Sequence, residues 1–528
     1  MRKHLMAGLV AGVLGAGAGC YDLFSDPLIF HVGGIDEVGG SGGGTGGTGG
    51  SPPGCTPTED NKEIDGSCGV FVSSSLAGEV ADGSKEKPYP TIGDALSAAD
   101  GKPIYACGEV IVEALKVQSG ELTLYGALDC ANGWAYDSSK RTVLTAAADV
   151  VPLVVGAGAV AVIADVKVEA GSAQKTGGSS IAVIADDGAT LELTRCELVA
   201  GDGKDGQDGF VGFDNIGPAD SDDPEIQGND GTNACSTMDM QFGGAAKENP
   251  YCPVAMGGPL GGIGGTGSVA SGSAGDAQPM PSPETAQGGA GQPANDPMSL
   301  WNCGVGESLG GGQAGANGSA GTPGLGGIEL GTITAEGYTG MAGATGGTGK
   351  PGQGGGGGGG AKGKTSCAGA SGGGGGAGGC GGKGGTGGQP GGASMGLLLV
   401  NAKLTLDAVT ISTGKGGKGG DGGLGQGGAI GGSGGKGGLG DLGAPATLPA
   451  CNGGQGGVGG KGGDGGGGRG GPSVAIAFTG APPAVEGVTF QVGQAGEMGL
   501  GEGPTGNAKA ALACSTLRFD QGEDSCVK

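Results

Sequence analysis

Residues 391–414 read Gly391-Gly-Ala-Ser-Met-Gly-Leu-Leu-Leu-Val-Asn-Ala-Lys-Leu-Thr-Leu-Asp-Ala-Val-Thr-Ile-Ser-Thr-Gly414, and this stretch decides the fold. From Lys403 onward, apolar side chains alternate with polar ones. Alternation with a period of two is typical of a β-strand with one buried face, whereas an amphipathic helix needs a period of about 3.6 residues. The stretch therefore predicts short β-strands joined by tight corners.

The same pattern occurs in three other places along the chain. Gly470-Gly-Pro-Ser473 opens a copy in which Val488-Thr-Phe490 takes the place of Val409-Thr-Ile411. Gly177-Gly-Ser-Ser180 opens another copy, and residues Ala161–Gly171 form a fourth. Each copy spans about 20 residues and is too small to bury its own apolar face, so the copies must stack on one another. The sequence thus predicts an all-β solenoid with one coil per copy. A β-sandwich is the alternative, and we disfavour it because positions match coil by coil.

The segment before these copies has the pattern of a capping helix. In Asp82-Gly-Ser-Lys-Glu-Lys-Pro-Tyr-Pro-Thr-Ile-Gly-Asp-Ala-Leu-Ser-Ala-Ala99, the side chains of residues 92, 95, 96 and 99 share one helical face. This opening resembles that of bacterial pectin-lyase-like domains of the DUF1565 group, as does the Gly133-Trp134 step between two apolar runs. The resemblance covers about residues 68–201 and the two late copies. It implies a right-handed parallel β-helix whose first coil is capped by a helix near residues 91–99.

Glycine-rich insertions separate the late copies. Glycine accounts for 140 of the 528 residues and aromatic residues for only 3 %, so the chain cannot build several ordinary domain cores. Residues 202–393 and 415–472 repeat Gly-Gly-x and resemble the PGRS-type segments of some bacterial surface proteins. Both insertions follow the same repeat position, so we expect them to leave one edge of the solenoid. Two structures are open for them, a disordered flexible coil or a polyglycine-II-like packing of left-handed helices with three residues per turn.

The N-terminus predicts export. A positive start, Arg2-Lys-His4, precedes the apolar run Leu5–Ala18, which is too short to span a bilayer and matches a signal peptide. Gly17-Ala-Gly-Cys20 resembles the lipobox of bacterial lipoproteins, although Leu is usual where Gly17 stands. The resemblance implies that Cys20 is lipidated and that the protein is a lipoprotein of the outer membrane or cell surface. Cleavage after Ala18 without lipidation is the alternative, and it would make the protein secreted.

These features divide the chain into consecutive parts. The predicted parts are a signal peptide ending at Cys20 (1–20), a flexible Gly/Ser tether (21–54), a capping region with coils (55–201), a glycine-rich insertion (202–393), one coil (394–414), a second insertion (415–472), and a last coil with a C-terminal cap (473–528).

The 14 cysteines of an exported chain indicate disulfide bonds. No Cys-x-x-Cys pair occurs, and His31 is the only histidine left after the signal, which argues against zinc. The near neighbours along the chain, and thus the first candidates for bonding, are Cys55/Cys68, Cys107/Cys130, Cys235/Cys252, Cys367/Cys380 and Cys514/Cys526, with Cys303 and Cys451 left to pair across the insertions. Cys196 occupies an apolar position of a copy and is expected to stay unpaired if Cys20 carries lipid.

The charged residues favour a solvated exterior over a catalytic site. Without a histidine in the folded body, Ser-His-Asp and Cys-His sites are excluded. The nearest match to the groups used by β-helix polysaccharide lyases is a set of five residues that we expect to point outward: Asp186, Asp187, Glu192, Arg195 and Glu197. Later copies have Thr405 and Thr410 where Glu192 and Glu197 stand, so no charged ladder forms. We predict no catalytic residue and no cofactor.

The acidic composition also bears on metal binding and on the choice of partner. Asp202, Asp205 and Asp208 are weak candidates for a calcium site, but a solvated acidic loop is the favoured interpretation, and we predict no metal. A net charge of −25 would repel a phosphate backbone, so nucleic acid is not expected as a partner.

Together these features favour an exported, lipid-anchored cell-envelope protein with a structural or surface-interaction role and no enzymatic activity. The predicted partners are a membrane, through the lipid anchor, and a cell-surface polysaccharide or protein. Two alternatives remain, a β-helix carbohydrate-active enzyme of the polysaccharide lyase type and a calcium-dependent adhesin.

Overall fold

Three parallel sheets form the frame of the protein. The computed structural model describes residues 54–252, 259–277, 286–296 and 300–528. The first sheet has the order β1 (Val70–Val72), β2 (Ile104–Cys107), β5 (Glu121–Asp129), β9 (Val160–Ala164), β12 (Thr190–Thr194) and β19 (Lys403–Asp407), with β6 (Ala135–Tyr136) antiparallel to the end of β5. The second has β3 (Val110–Val112), β7 (Thr142–Thr145), β10 (Val166–Ala170), β13 (Glu197–Ala200), β20 (Thr410–Thr413) and β22 (Thr489–Gln491). The third has β4 (Leu115–Val117), β8 (Leu153–Val155), β11 (Ser180–Ala185), β18 (Ser394–Val400), β21 (Ser473–Thr479) and β23 (Ala513–Arg518).

The remaining elements are short. Two antiparallel pairs join β14 (Met240–Gln241) to β15 (Gly267–Ser268) and β16 (Thr332–Thr334) to β17 (Gly337–Thr339). The helices of the described residues are α1 (Ile92–Ala98), α2 (Gly503–Gly506) and 3-10 turns at Gly66–Cys68, Cys130–Asn132, Phe519–Gln521 and Glu523–Ser525. Parallel sheets with few helices are consistent with the predicted all-β class. No helix among the described residues has the length and apolar character that crossing a membrane requires. The predicted signal peptide, Cys20 and the tether up to residue 53 lie outside these residues.

From β2 to β21 the chain visits the first, second and third sheets in turn, and we call one such round a coil. Strands of successive coils pair in parallel, with Ser180 opposite Ser394 and Ser394 opposite Ser473. Ile411 lies opposite Phe490 in the second sheet. The alignment of copies made from the sequence is therefore confirmed residue by residue at these strands.

An apolar core lies between the three sheets. Leu191 and Leu193 of β12 are buried and Glu192 between them is exposed, as the period of two predicts. The core consists almost entirely of Val, Ile, Leu and Ala side chains, which suits narrow coils with few aromatics. Strands β11, β18 and β21 of the third sheet are buried on both faces, because Ile333 of β16 and Tyr338 of β17 pack on the outer side of the sheet.

The capping helix is confirmed. α1 begins after Thr91, whose hydroxyl accepts a hydrogen bond from the N–H of Asp94 at 3.1 Å. The carboxylate of Glu113 accepts from the N–H groups of Ile92 and Gly93 at 2.8 and 2.7 Å, so the first turn has partners for its free donors. Ile92 is fully buried against the core of the first coils.

All long insertions leave from one edge, as expected. Each begins after a strand of the second sheet and ends at a strand of the third: they connect β13 to β18, β20 to β21, and β22 to β23. The glycine-rich segments thus lie beside one another at a single corner of the coils.

Six disulfide bonds confirm that the cysteines form disulfides, but two of the predicted pairs are replaced by others. The bonds are Cys55–Cys68, Cys107–Cys130, Cys235–Cys367, Cys252–Cys380, Cys303–Cys451 and Cys514–Cys526. The near-neighbour pairs Cys235/Cys252 and Cys367/Cys380 are wrong, because the insertion folds back and brings partners from distant segments together. Cys196 is the one unpaired cysteine in the described part of the chain, and it is buried.

Candidate functional site

Most of the insertions form one hydrogen-bonded assembly, which we call the glycine array. Its main segments are 201–214, 226–234, 259–268, 309–327, 341–361, 369–392, 414–440, 450–471 and 493–501. None of these segments contains a helix, and among them only 259–268 includes a strand, β15 at its end. Backbone hydrogen bonds between the segments nevertheless recur every third residue. The array is therefore ordered, and the flexible-coil alternative does not describe these residues.

The centre of the array shows why the period is three. The N–H groups of Gly355, Gly356 and Gly357 donate to carbonyls of three different segments, those of Gly376, Gln313 and Asp276, at 2.9, 2.9 and 3.0 Å. The next triplet repeats the order with the carbonyls of Gly373, Gly310 and Ser273. Successive residues thus point about 120° apart, as in a helix with three residues per turn.

Glycine is required in the array by close approach of neighbouring backbones. A Cβ placed on Gly376 would lie 2.0 Å from the carbonyl oxygen of Gly432. Within the described segments of the array no glycine has a left-handed φ, so the glycines are used here for space and not for unusual dihedral angles.

The acidic row that the sequence singled out lies at an edge of the array. One carboxylate oxygen of Asp202, Asp205 and Asp208 accepts a hydrogen bond from the N–H of Lys415, Lys418 and Asp421, at 2.6, 2.6 and 2.7 Å respectively. Elsewhere in the array such N–H groups donate to backbone carbonyls of a neighbouring segment, and here the aspartate side chains take the place of those carbonyls. No group of three or more His, Cys, Asp or Glu side chains in the described residues is arranged to hold a metal ion.

The structure does not bring the lyase-like set together. Asp186 and Asp187 precede β12 and Arg195 follows it, so the length of a five-residue strand, about 17 Å, separates them. Glu192 lies opposite Thr405 and Glu197 opposite Thr410, as the alignment predicted. The guanidinium of Arg195 binds the carboxylate of Asp165, and this hydrogen bond raises the pKa of Arg195 above its usual value. Both guanidinium nitrogens that face Asp165 thus act as hydrogen-bond donors in the structure.

A buried cation that sequence reasoning missed ties the array to the last coil. Arg469 is 1 % exposed, and its guanidinium donates to the carbonyl of Ile328 and to the carboxylate of Glu523, the latter at 2.6 Å. It also donates to the carbonyl of Ala510 at 3.4 Å. The only sequence signal was an Arg in a run of Gly-Gly-x triplets, which gave no indication of burial.

Three of the disulfides staple the array. Cys252 and Cys303, which lie outside the segments of the array, are bonded to Cys380 and Cys451 within them, and Cys235 is bonded to Cys367 just beyond segments 226–234 and 369–392. No protein-family model, curated protein or solved structure matches the chain. The site is therefore described by its own arrangement, a hydrogen-bonded and disulfide-linked assembly that exposes side chains such as Phe210 and Phe213.

Proposed function

We propose that the protein is an exported, lipid-anchored cell-envelope protein that presents the glycine array as a rigid structural or surface-interaction module. The observation that carries this proposal is the interlocking of three separate insertions through backbone hydrogen bonds, with the disulfide Cys303–Cys451 joining the first insertion to the second. Ordering so many glycines costs more conformational entropy than ordering other residues. The glycine array is ordered despite this entropy cost, and disulfide bonds crosslink it. Both features favour a role in which the surface of the array keeps a fixed shape.

For the fold we propose a right-handed parallel β-helix carrying a polyglycine-II-like array. The cyclic visits to three parallel sheets and the in-register serine positions support the first part. The three-residue hydrogen-bond period and the absence of left-handed φ in the described array support left-handed, three-fold helices for the second. Circular dichroism of the full chain should show β and irregular signal with little helix. A helix-dominated spectrum, or an experimental structure with left-handed coils, would overturn this part.

The anchor is proposed from Cys20, with Cys20→Ser as its test. Two or three acyl chains hold a protein in a membrane, whereas one chain binds only marginally. Metabolic labelling with a fatty-acid analogue followed by detergent partitioning should place the wild type in the detergent phase and leave Cys20→Ser unlabelled. An unlabelled, soluble wild type whose mature chain begins at Gly19 would show a secreted protein instead.

Surface display has its own test. Protease treatment of intact cells that make the full chain should release fragments, and residues 341–471 should resist cleavage until disulfides are reduced. Rapid cleavage throughout that range under oxidising conditions would contradict a rigid module. Retention of the whole chain after treatment, with cleavage only once the outer membrane is opened, would move the proposed location to the inner side of the envelope.

We also propose that the folded body has no lyase, hydrolase or transferase activity. Two observations support the absence of activity: Arg195 is hydrogen-bonded to Asp165, and the length of β12 separates Arg195 from Asp187. Assays on acidic and neutral polysaccharides, with and without calcium, are the test. Turnover that disappears in Asp187→Ala or Arg195→Ala would establish an enzyme.

A further inference from the structure

The first sheet ends at an open edge. Its last strand, β19 (Lys403–Asp407), pairs with β12 on one side and with no strand of the described residues on the other. Backbone groups of successive strand residues point alternately to the two sides of the strand. On the β12 side, the N–H of Lys403 donates to the carbonyl of Ala189 at 2.8 Å. The N–H and C=O groups of Leu404 and Leu406 therefore point to the open side.

The next coil leaves this edge without a partner strand. Residues 480–488 connect β21 to β22 at the place where a further strand of the first sheet would lie. Val485 packs on the core there, but no described residue bonds to the backbone of Leu404 or Leu406 on the open side. Both leucines are only half-buried, whereas Leu191, opposite Leu404 in the preceding coil, is fully buried. The apolar core is thus incompletely covered at this end.

The outer face of β19 is self-complementary about its central residue. Lys403 and Asp407 have opposite charges and stand at the two ends of the strand, and Thr405 is midway between them. The three side chains are exposed. An antiparallel second copy of β19, aligned with Thr405 opposite Thr405, places each Lys403 opposite an Asp407. Pairs of opposite charge and pairs of threonines both stabilise neighbouring strands.

The same alignment also uses the free backbone groups. It places Leu404 of one copy opposite Leu406 of the other, twice. Opposed residues of antiparallel strands alternate between pairs that exchange two hydrogen bonds and pairs that exchange none. The leucine pairs have the free N–H and C=O groups, so they are the pairs that exchange hydrogen bonds. Two such pairs give four hydrogen bonds, and the leucine side chains meet on the core face of the sheet.

We propose that β19 is a dimerisation edge, at which two copies of the chain pair as antiparallel strands. A two-fold axis passes beside Thr405, and the first sheet continues from one copy into the other. Such an interface is isologous, because the same strand serves on both sides. Charge complementarity fixes its register, and the half-buried leucines gain cover. The inference goes beyond the role proposed for the glycine array and does not depend on it.

The first experiment tests the charge pairing. Sedimentation equilibrium of the full chain, in detergent so that a lipid anchor does not itself associate the copies, should show a concentration-dependent dimer. Lys403→Asp brings two acidic side chains together and Asp407→Lys two basic ones, so each should raise the dissociation constant about tenfold or more. In an equimolar mixture of the two variants, acidic positions face basic ones. The mixture should dimerise about as tightly as wild type, and so should the chain that has both substitutions.

The second experiment tests the two-fold axis. Thr405 faces its own copy in a pair without hydrogen bonds, where the Cα atoms lie about 4.5 Å apart, within the range of a disulfide. Mild oxidation should therefore crosslink two copies of the Thr405→Cys variant. Glu192→Cys is the matched control, because Glu192 is exposed opposite Thr405 but lies on β12, which has strands on both sides. It should crosslink about tenfold more slowly or not at all.

The contrary outcomes are distinct. A chain that sediments as a monomer at every concentration, or equal crosslinking of the two cysteine variants, would show that β19 is not an interface. A dimer whose dissociation constant is unchanged by Lys403→Asp would overturn the proposed register and the proposal with it. The variants change exposed side chains, and an unchanged circular dichroism spectrum checks that they fold. The protease test of the glycine array is unaffected by these results, so the two proposals fail separately.

Discussion

Arg195 forms two hydrogen bonds with the carboxylate of Asp165, from Nε to Oδ1 at 2.9 Å and from Nη2 to Oδ2 at 2.6 Å. The two residues occupy the same corner, between the first and second sheets, in successive coils. Both have left-handed backbones, with φ of 59° at Asp165 and 51° at Arg195. The hydroxyl of Tyr136 donates to the same carboxylate at 3.1 Å. The pair therefore joins one coil to the next where the chain turns sharply.

Arg195→Ala should destabilise the protein. It leaves the buried carboxylate of Asp165 with Tyr136 as its remaining side-chain partner. Breaking a fully buried pair costs about 3–5 kcal/mol, and because the Arg195 side chain is 40 % exposed we expect about 2–3 kcal/mol. Urea unfolding measures the loss. Lys62→Ala, which removes an exposed ion pair, should leave the midpoint unchanged, and Asp165→Ala added to Arg195→Ala should recover part of the loss. Equal midpoints for wild type and Arg195→Ala would show that the pair contributes nothing.

Glu523 should make stability depend on pH in the acid range. Burial raises the pKa of Glu523, but hydrogen bonds from Lys509 and Arg469 outweigh it and hold the pKa below its usual value. A lowered pKa gives stability that is present above the unfolded value of 4.5 and is lost as the pH falls through the folded value. The difference in unfolding free energy between wild type and Glu523→Gln should thus be constant near neutral pH and shrink below pH 4.5. Urea midpoints across this range measure it, with Glu486→Gln as the exposed control. A difference independent of pH would contradict the assignment.

The coils could be predicted from the sequence because their constraints are local. Alternation in Lys403–Asp407 identifies strands, and the repeated openings at Ser180, Ser394 and Ser473 give their register. The glycine array could not be resolved in this way. Every Gly-Gly-x triplet offers the same hydrogen bonds, so the sequence does not say that Thr386 donates to the carbonyl of Phe210. The predicted pairing of Cys235, Cys252, Cys367 and Cys380 failed for the same reason, since it depends on which segments become neighbours. The other four predicted pairs are present.

Cys196 should be unreactive in the folded protein. Burial raises the pKa of its thiol to about 11, so the reactive thiolate is scarce at pH 8. Iodoacetamide at pH 8 should leave Cys196 unmodified until urea unfolds the chain, as peptide mapping can show. Rapid alkylation under native conditions would mean that this core position opens readily.

The disulfide Cys252–Cys380 should hold the outer segments of the array in place. Replacing both cysteines with Ser removes a crosslink between positions 128 residues apart, and we expect a loss of about 2–4 kcal/mol. Hydrogen exchange should accelerate over residues 226–252 and 259–268. The double variant Cys55→Ser/Cys68→Ser is the matched control, because its bond lies in the capping region and its loss should leave exchange in the array unchanged. Acceleration in neither region would show that the backbone network alone holds these segments.

Two adjacent glycines test the packing of the array directly. A Cβ on Gly428 would lie 2.0 Å from the carbonyl oxygen of Gly459, whereas a Cβ on Gly427 would meet no atom within 4 Å, and neither residue has a left-handed φ. Gly428→Ala must push two segments apart and should cost about 1–3 kcal/mol, as overpacking does elsewhere. Gly427→Ala should be neutral or stabilise by up to about 1 kcal/mol, because alanine reduces the entropy of the unfolded chain. Urea unfolding gives the free energies, and hydrogen exchange over residues 426–432 and 456–462 locates the change. If both variants behaved alike, the segments would not be in backbone contact, and the close packing on which the array depends would be wrong.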